Sequence, residues 1–333
     1  MADHTTISQP VAFGLIAAGG SNLTYRVTGS AGDRWVLRRP PVGDLLPSAH
    51  DVAREHRILQ GLHGTAVPVP EVAGLCTDRE VTGAPFFVMR YVEGHILRST
   101  AMGEALGATA ARTAGVNFFE ALACIHTTPP EVAGLGDLSR PDRYVERQLR
   151  RWHQQYRQTA GEHGSPLEAA VHDRLAETVP GDVAPATSHL VHGDYHIDNA
   201  VFDEQLAVKA IFDWELATLG HPTADLAWAL LFWAEPGDEH PFLHEPATQA
   251  AGFPSRREAI DVYERASGHR VEALSYFEAF CNWKMACLLS GVLHRTLRGA
   301  TGGLHAAAVP DVASRVRRIE ALFEQARSLA HAG

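Results

Sequence analysis

The sequence predicts an α+β fold in two lobes: a small antiparallel sheet with one helix, then a larger and mainly helical part. Three observations predict it. Apolar strands separated by glycine turns fill the chain as far as Val92. Helical periodicity takes over after Gly94. The length, 333 residues, suits two domains or one bilobal unit at roughly 150 residues each. The division is expected between residues 92 and 93, giving lobes 1–92 and 93–333.

Within the first lobe, Gly19-Gly20-Ser21-Asn22 opens onto the alternating strand Leu23–Val27. Gly29–Asp33 is a hairpin turn, and Arg34–Arg38 is the returning strand. Gly20, Ser21 and Asn22 leave backbone N–H groups free to approach phosphate oxygens. A plain hairpin with a flexible tip reads the same way. Alternation puts Arg38 on the face of Val36 and Arg39 on the other. Arg38 there grips phosphate bidentately, unless both arginines are solvated strand ends.

Residues 48–62 read as a helix, with Ser48 as its N-cap and Val52, Ile58, Leu59 and Leu62 as apolar positions. Glu55 is the acid expected to pair with the strand cation. Helix spacing also offers it Arg54 or Arg57 as neighbours. Two strands follow around a turn at Thr77–Gly83, the second ending Met89-Arg90-Tyr91-Val92. The Arg90 carbonyl and the Val92 N–H there offer an adenine one main-chain acceptor and one donor.

In the second lobe, helices are expected at 107–127, 141–160, 165–179, 255–268, 272–298 and 308–330. The 272–298 helix is apolar nearly all round and therefore buried. Another helix runs from Pro222 to Trp233 with Asp225 in its first turn.

One stretch of this lobe breaks the helical pattern, Leu190–Glu215, LVHGDYHIDNAVFDEQLAVKAIFDWE. It reads as a short apolar strand, a polar loop and two more short strands. Asp194 and Asn199 stand in the loop, and Asp213 closes the last apolar run. Phosphoryl transfer needs a carboxylate to orient the acceptor hydroxyl and oxygen ligands to hold Mg²⁺ against a triphosphate. Protein kinases write these parts as H-R-D-x-x-x-x-N and then D-F-G. Asp194 is accordingly the expected base, and Asn199 and Asp213 the expected metal ligands. A cluster of turn-forming residues is the plainer alternative.

The net charge of −10 argues against nucleic acid or an anionic membrane as the main partner. Lysine occurs only at Lys209 and Lys284, so any cation meeting phosphate in the first lobe is Arg or His. Cys76, Cys124, Cys281 and Cys287 are scattered and read as free thiols in a reducing compartment. No signal peptide and no apolar run of about 20 residues is visible. A cytoplasmic location is expected, and oligomeric state is left open. Most histidines read as surface or capping groups.

The segments GGSNLTYRV, WVLRRPP, AHDVAREHRIL, PFFVMRYVEG, LVHGDYHIDNAVF and AIFDWELATLGHPTADLAW together resemble the aminoglycoside phosphotransferase and choline kinase-like family. The sequence is most similar to the phosphotransferase domain that also occurs ahead of some acyl-CoA dehydrogenases. The resemblance implies a bilobal protein-kinase-like fold, with ATP or GTP and Mg²⁺ as cofactors and a small-molecule hydroxyl as acceptor. It implies Asp194 as catalytic base and Asn199 and Asp213 on the metal. Arg38 takes the phosphate place usually held by Lys, with Glu55 as its partner and Gly20, Ser21 and Asn22 in the nucleotide loop. Asp225 is implied to steady the catalytic loop. Trp214-Glu215 stands where protein kinases have Phe-Gly, so no activation loop is expected. The acceptor is a hydroxyacyl thioester or related metabolite, or alternatively an aminoglycoside. A non-catalytic nucleotide-binding module and a metal phosphoesterase, suggested by Asp194-Tyr195-His196, are the rival readings.

Overall fold

The structure, a computed structural model, describes residues 7–17, 22–40, 51–138, 143–161, 164–181, 189–238, 243–298 and 312–332. Gly20, Ser21 and Ser48 lie outside the described residues.

β1 (Val11–Ala17), β2 (Leu23–Gly29), β3 (Arg34–Arg39), β4 (Val72–Cys76) and β5 (Phe86–Arg90) form one antiparallel sheet in the order β1-β2-β3-β5-β4. Central β3 pairs with β2 through Thr24↔Arg38 and with β5 through Arg38↔Phe87. Alternation sorts its side chains between two cores. Trp35 and Leu37 join Val27, Phe86 and Val88 in a small outer cluster, and Val36 joins the main core. Arg38 follows Val36 to the inner face, where it is buried.

Helix α1 (Val52–Leu62) connects β3 to β4. Its cap is Asp51, whose side chain accepts from the Arg54 N–H, so the helix begins later than a Ser48 cap would place it. An aspartate caps a helix as well as a serine does. The buried face carries Val52, Glu55, Ile58, Leu59 and Leu62, so Glu55 is drawn inside by its apolar neighbours. The expected turn at Thr77–Gly83 contains the four-residue helix α2 (Arg79–Thr82). Asp78 caps it, and Gly83, at φ 83°, ends it.

The second part holds α3 (Thr100–Leu106), α4 (Ala108–Thr127), α5 (Tyr144–Thr159), α6 (Leu167–Glu177), α7 (Pro222–Leu231), α8 (Arg256–Ser267), α9 (Leu274–Leu297) and α10 (Val312–Ala332). Short α3, capped by Ser99, was not anticipated because seven residues give too little periodicity. α9 is buried on most sides and packs against α5, α6, α7 and α10. Two short ribbons interrupt the helices. β6 (His189–Val191) pairs with β9 (Thr218–Gly220), and β7 (Ala200–Phe202) with β8 (Val208–Ile211).

The main core joins both parts of the chain, bringing Val36, Phe87 and Met89 against Phe118, Phe202 and Trp233. A second core surrounds α9 and contains Trp152, Trp228, Phe280, Trp283 and Phe323. Each such side chain contributes about 1.5–3 kcal/mol through burial. At Gly94 a Cβ would meet the Phe202 carbonyl at 2.4 Å, so only glycine lets the inter-lobe link cross β7 this closely. Among the described residues no helix is long and apolar enough to cross a membrane. Cys76, Cys124, Cys281 and Cys287 are free thiols.

Candidate active site

The polar loop between β6 and β7 is held from below by one carboxylate. Asp225, in the first turn of α7, accepts the main-chain N–H groups of His192 and, at 2.7 Å, Gly193. His126 Nε2 lies 3.3 Å from its Oδ2, and His126 Nδ1 lies 2.7 Å from the Tyr263 hydroxyl. Burial alone would raise the Asp225 pKa, but these donors and the nearby His192 hold it below the usual range. Gly193 has φ 81°, and a Cβ there would meet the Leu216 carbonyl at 2.6 Å. The glycine of His-Gly-Asp is therefore required by backbone and space together.

The next residue, Asp194, is partly exposed. Its Oδ1 accepts from the Trp228 indole at 2.9 Å, and its Oδ2 lies 3.8 Å from His196 Nε2. The Asn199 amide nitrogen donates to the Asp194 carbonyl at 3.0 Å and meets His196 Nε2 at 3.1 Å, which turns the amide oxygen the other way. The Phe212 N–H donates to the Asn199 carbonyl at 2.8 Å. The His192 imidazole spans the same gap, Nε2–H donating to the Phe212 carbonyl at 2.9 Å while Nδ1 accepts from the Asp194 N–H. That pattern fixes the neutral tautomer, and burial pulls the His192 pKa down. Loop and strand end are thus bound into one unit, with Asp194, Asn199 and Asp213 at one end of the β7–β8 ribbon.

Asp213 takes a left-handed backbone, φ 67°, which aspartate tolerates better than most residues. Its carboxylate forms an ion pair with Arg38. The same guanidinium lies 2.8 Å from Glu55 and 3.9 Å from Glu215. Asn22, buried beside them, donates from Nδ2 to Glu55 at 3.5 Å and to Glu215 at 3.4 Å. Three carboxylates therefore converge on Arg38. Burial drives the Glu55 pKa up to about 7, Arg38 opposes the rise, and Asp213 and Glu215 add to it. On Arg38, burial pulls down, but the three carboxylates outweigh it and the net shift is upward.

The helix-spacing ambiguity around Glu55 resolves by direction. Arg54 donates to the carbonyls of Glu215 and Ala217, and Arg57 pairs with Asp137, so the partner of Glu55 is Arg38. Arg90 and Val92 stand apart from this cluster. Arg90 ends β5 with its guanidinium 3.1 Å from Glu71 and 4.9 Å from the Trp35 ring, and Val92 lies half-buried in the link that follows.

The donor set fits a divalent cation. Asp213 is partly exposed beside Arg38, and Asn22 Oδ1 is buried without a partner, so oxygen ligands are at hand. No cage of three or more His, Cys, Asp or Glu side chains occurs among the described residues.

Four residues of the site escaped sequence reasoning. His126 and His192 are buried, not surface or capping groups, although His221 does cap α7. Trp228 holds Asp194, and Lys284 donates from Nζ to the Gly193 carbonyl at 2.8 Å. The one available signal was Lys284 itself, a charged residue inside an otherwise apolar helix.

Residues 13–259 match the model of a family described as the phosphotransferase enzyme family. Acyl-CoA dehydrogenase family member 11 of Gallus gallus is 35% identical over 289 residues, covering 85% of this chain and 36% of the relative. Acyl-CoA dehydrogenase family member 10 of Mus musculus is 33% identical over 287 residues, covering 84% and 26%. The chain thus spans about a third or less of the length of these relatives. A crystal structure from Ralstonia eutropha JMP134, named a candidate aminoglycoside phosphotransferase, superposes with a TM-score of 0.80. It is 28% identical and covers 100% of this chain and 96% of that one.

Proposed function

The chain belongs to the phosphotransferase enzyme family, and from that premise we propose that it moves the γ-phosphate of ATP or GTP to a hydroxyl of a small molecule. The observation that carries the proposal is the meeting of Arg38, Glu55, Asp213 and Glu215 beside the unit that contains Asp194 and Asn199. Asp194, with one carboxylate oxygen tied to Trp228, orients the acceptor hydroxyl through the other and takes its proton. Asn199 and Asp213 would hold Mg²⁺, which when bound neutralises phosphate charge. Arg38, fixed by Glu55, leaves Asp213 for the phosphates. Asn22 closes the nucleotide side, where Gly20 and Ser21 supply N–H groups, and the Arg90 carbonyl and Val92 N–H take the base. The lobe boundary is proposed between residues 92 and 93.

As acceptor we propose a hydroxyacyl thioester or a related hydroxylated metabolite. Support comes from the relatives, whose names pair a region like this chain with an acyl-CoA dehydrogenase. An aminoglycoside is the second reading, favoured by the name of the Ralstonia eutropha structure. Incubating the protein with Mg²⁺·ATP and each acceptor class, followed by mass spectrometry, tests both. A gain of one phosphate on hydroxyacyl thioesters is expected. Phosphate on aminoglycosides alone would reverse the order, and phosphate on neither would end both.

A further inference from the structure

We propose that Lys284 is a positioning residue for Asp194, acting through the indole of Trp228; the inference rests on Asp194 being the base. Lys284 is one of two lysines in the chain and is 6% exposed, in the middle of α9. Its Nζ makes two contacts that converge on the same residue. It donates to the Gly193 carbonyl at 2.8 Å, which belongs to the peptide that leads into Asp194. It also sits 3.8 Å from the centre of the Trp228 ring, whose N–H donates to Asp194 Oδ1 at 2.9 Å. One ammonium thus grips both the backbone entering Asp194 and the donor that fixes its side chain.

Packing alone does not account for a lysine here. One turn away on the same face of α9 stand Phe280, Cys281 and Cys287, all buried, and a leucine or methionine would continue that surface. Burial pulls the Lys284 pKa down, and among the described residues no carboxylate forms an ion pair with it. Taking an ammonium out of water without a salt bridge is costly. The nearby charges of Asp194 and Asp225, the Gly193 carbonyl and the indole faces of Trp228 and, at 5.6 Å, Trp152 offset it. A cation over the π face also withdraws charge from the ring and strengthens its N–H as a donor. The tied oxygen of Asp194 then keeps the other oxygen aimed at an incoming hydroxyl, and small errors in that aim are expensive.

The test uses Lys284→Met, Lys284→Gln, Trp228→Phe and the double variant Lys284→Met/Trp228→Phe in the full chain. Gln keeps a donor for the Gly193 carbonyl but removes the cation, and it serves if Met fails to fold. The first readout is the Trp228 indole N–H resonance, assigned by its loss in Trp228→Phe. Removing the cation is expected to move it in the same direction as Asp194→Asn does and to speed its hydrogen exchange. The second readout is Mg²⁺·ATP turnover with water as acceptor. The kcat is expected to fall roughly 10- to 100-fold with the KM for ATP held within about twofold. The double variant is expected to be no slower than the slower single one. An unmoved Trp228 resonance, or losses that multiply in the double variant, would overturn the proposal. If the wild-type protein turns over no nucleotide with water, the resonance alone decides the tether.

Discussion

Glu55 and Asp225 are both buried carboxylates, 2% and 1% exposed, yet their environments push them in opposite directions. Asp225 receives two main-chain N–H groups and faces His126 within 3.3 Å, and its pKa falls. Glu55 shares one guanidinium with Asp213 and Glu215, and its pKa climbs to about 7. Burial is equal, so the count of donors against acceptors decides. A carboxylate with all its donors in place is a fixed part of the frame. A carboxylate crowded by two others is one whose charge a bound cation would change. The first lies under the loop that carries Asp194, and the second gathers around Arg38.

The largest expected effects separate the two sites by what is lost. Asp213→Ala is expected to abolish Mg²⁺-dependent ATP binding in a calorimetric titration. Asp194→Ala, between the sites, is expected to lower kcat by about 10²–10⁴-fold while ATP binding survives. Full turnover in the Asp194 variant would remove it as the base. Asp225→Ala strips the partners from two buried main-chain N–H groups and is expected to cost roughly 3–5 kcal/mol of stability. Denaturant midpoints with and without Mg²⁺·ATP measure it, and the loss should be similar in both. A loss that nucleotide restores would erase the distinction drawn here.

A smaller effect follows from protonation. The Glu55 pKa rises from 4.5 to about 7 on folding, so the folded state binds the extra proton between those values. Its contribution to stability is present below pH 4.5 and is lost as pH rises through about 7, a change of about 1–3 kcal/mol. Thermal unfolding of the free protein at pH 5 and pH 8 should show this slope, and Glu55→Gln should flatten it. The smallest effect is expected of Arg38→Lys. It keeps the charge but loses the fork that reaches Glu55 and Asp213 together, lowering ATP affinity about fivefold to tenfold.

Much of the fold was legible because its signals are local. Alternation along Arg34–Arg39 foretold which face Arg38 would take, and the all-round apolar character of Leu274–Leu297 foretold burial. What stayed hidden depends on partners distant in sequence. Glu215 looked like a substitute for a kinase glycine, yet it shares Arg38 across the lobes. His126, near the end of the expected 107–127 helix, is set by packing against Asp225 and Tyr263. Trp228 is core, but its one polar atom reaches Asp194. Periodicity reports which way a side chain faces and says nothing of the atom it meets.

Between Asp213 and the start of β9 at Thr218 the chain has only a single 3-10 turn, Trp214–Leu216, and α7 begins at Pro222. The Trp214 indole is tied to the Ile211 carbonyl, and Arg54 clasps the turn from α1. Protein kinases are throttled by a long segment at this place, swung in or out by a phosphate on it. Here nothing is long enough to swing. The phosphotransfer proposed above therefore has no gate of that kind between Asp213 and α7.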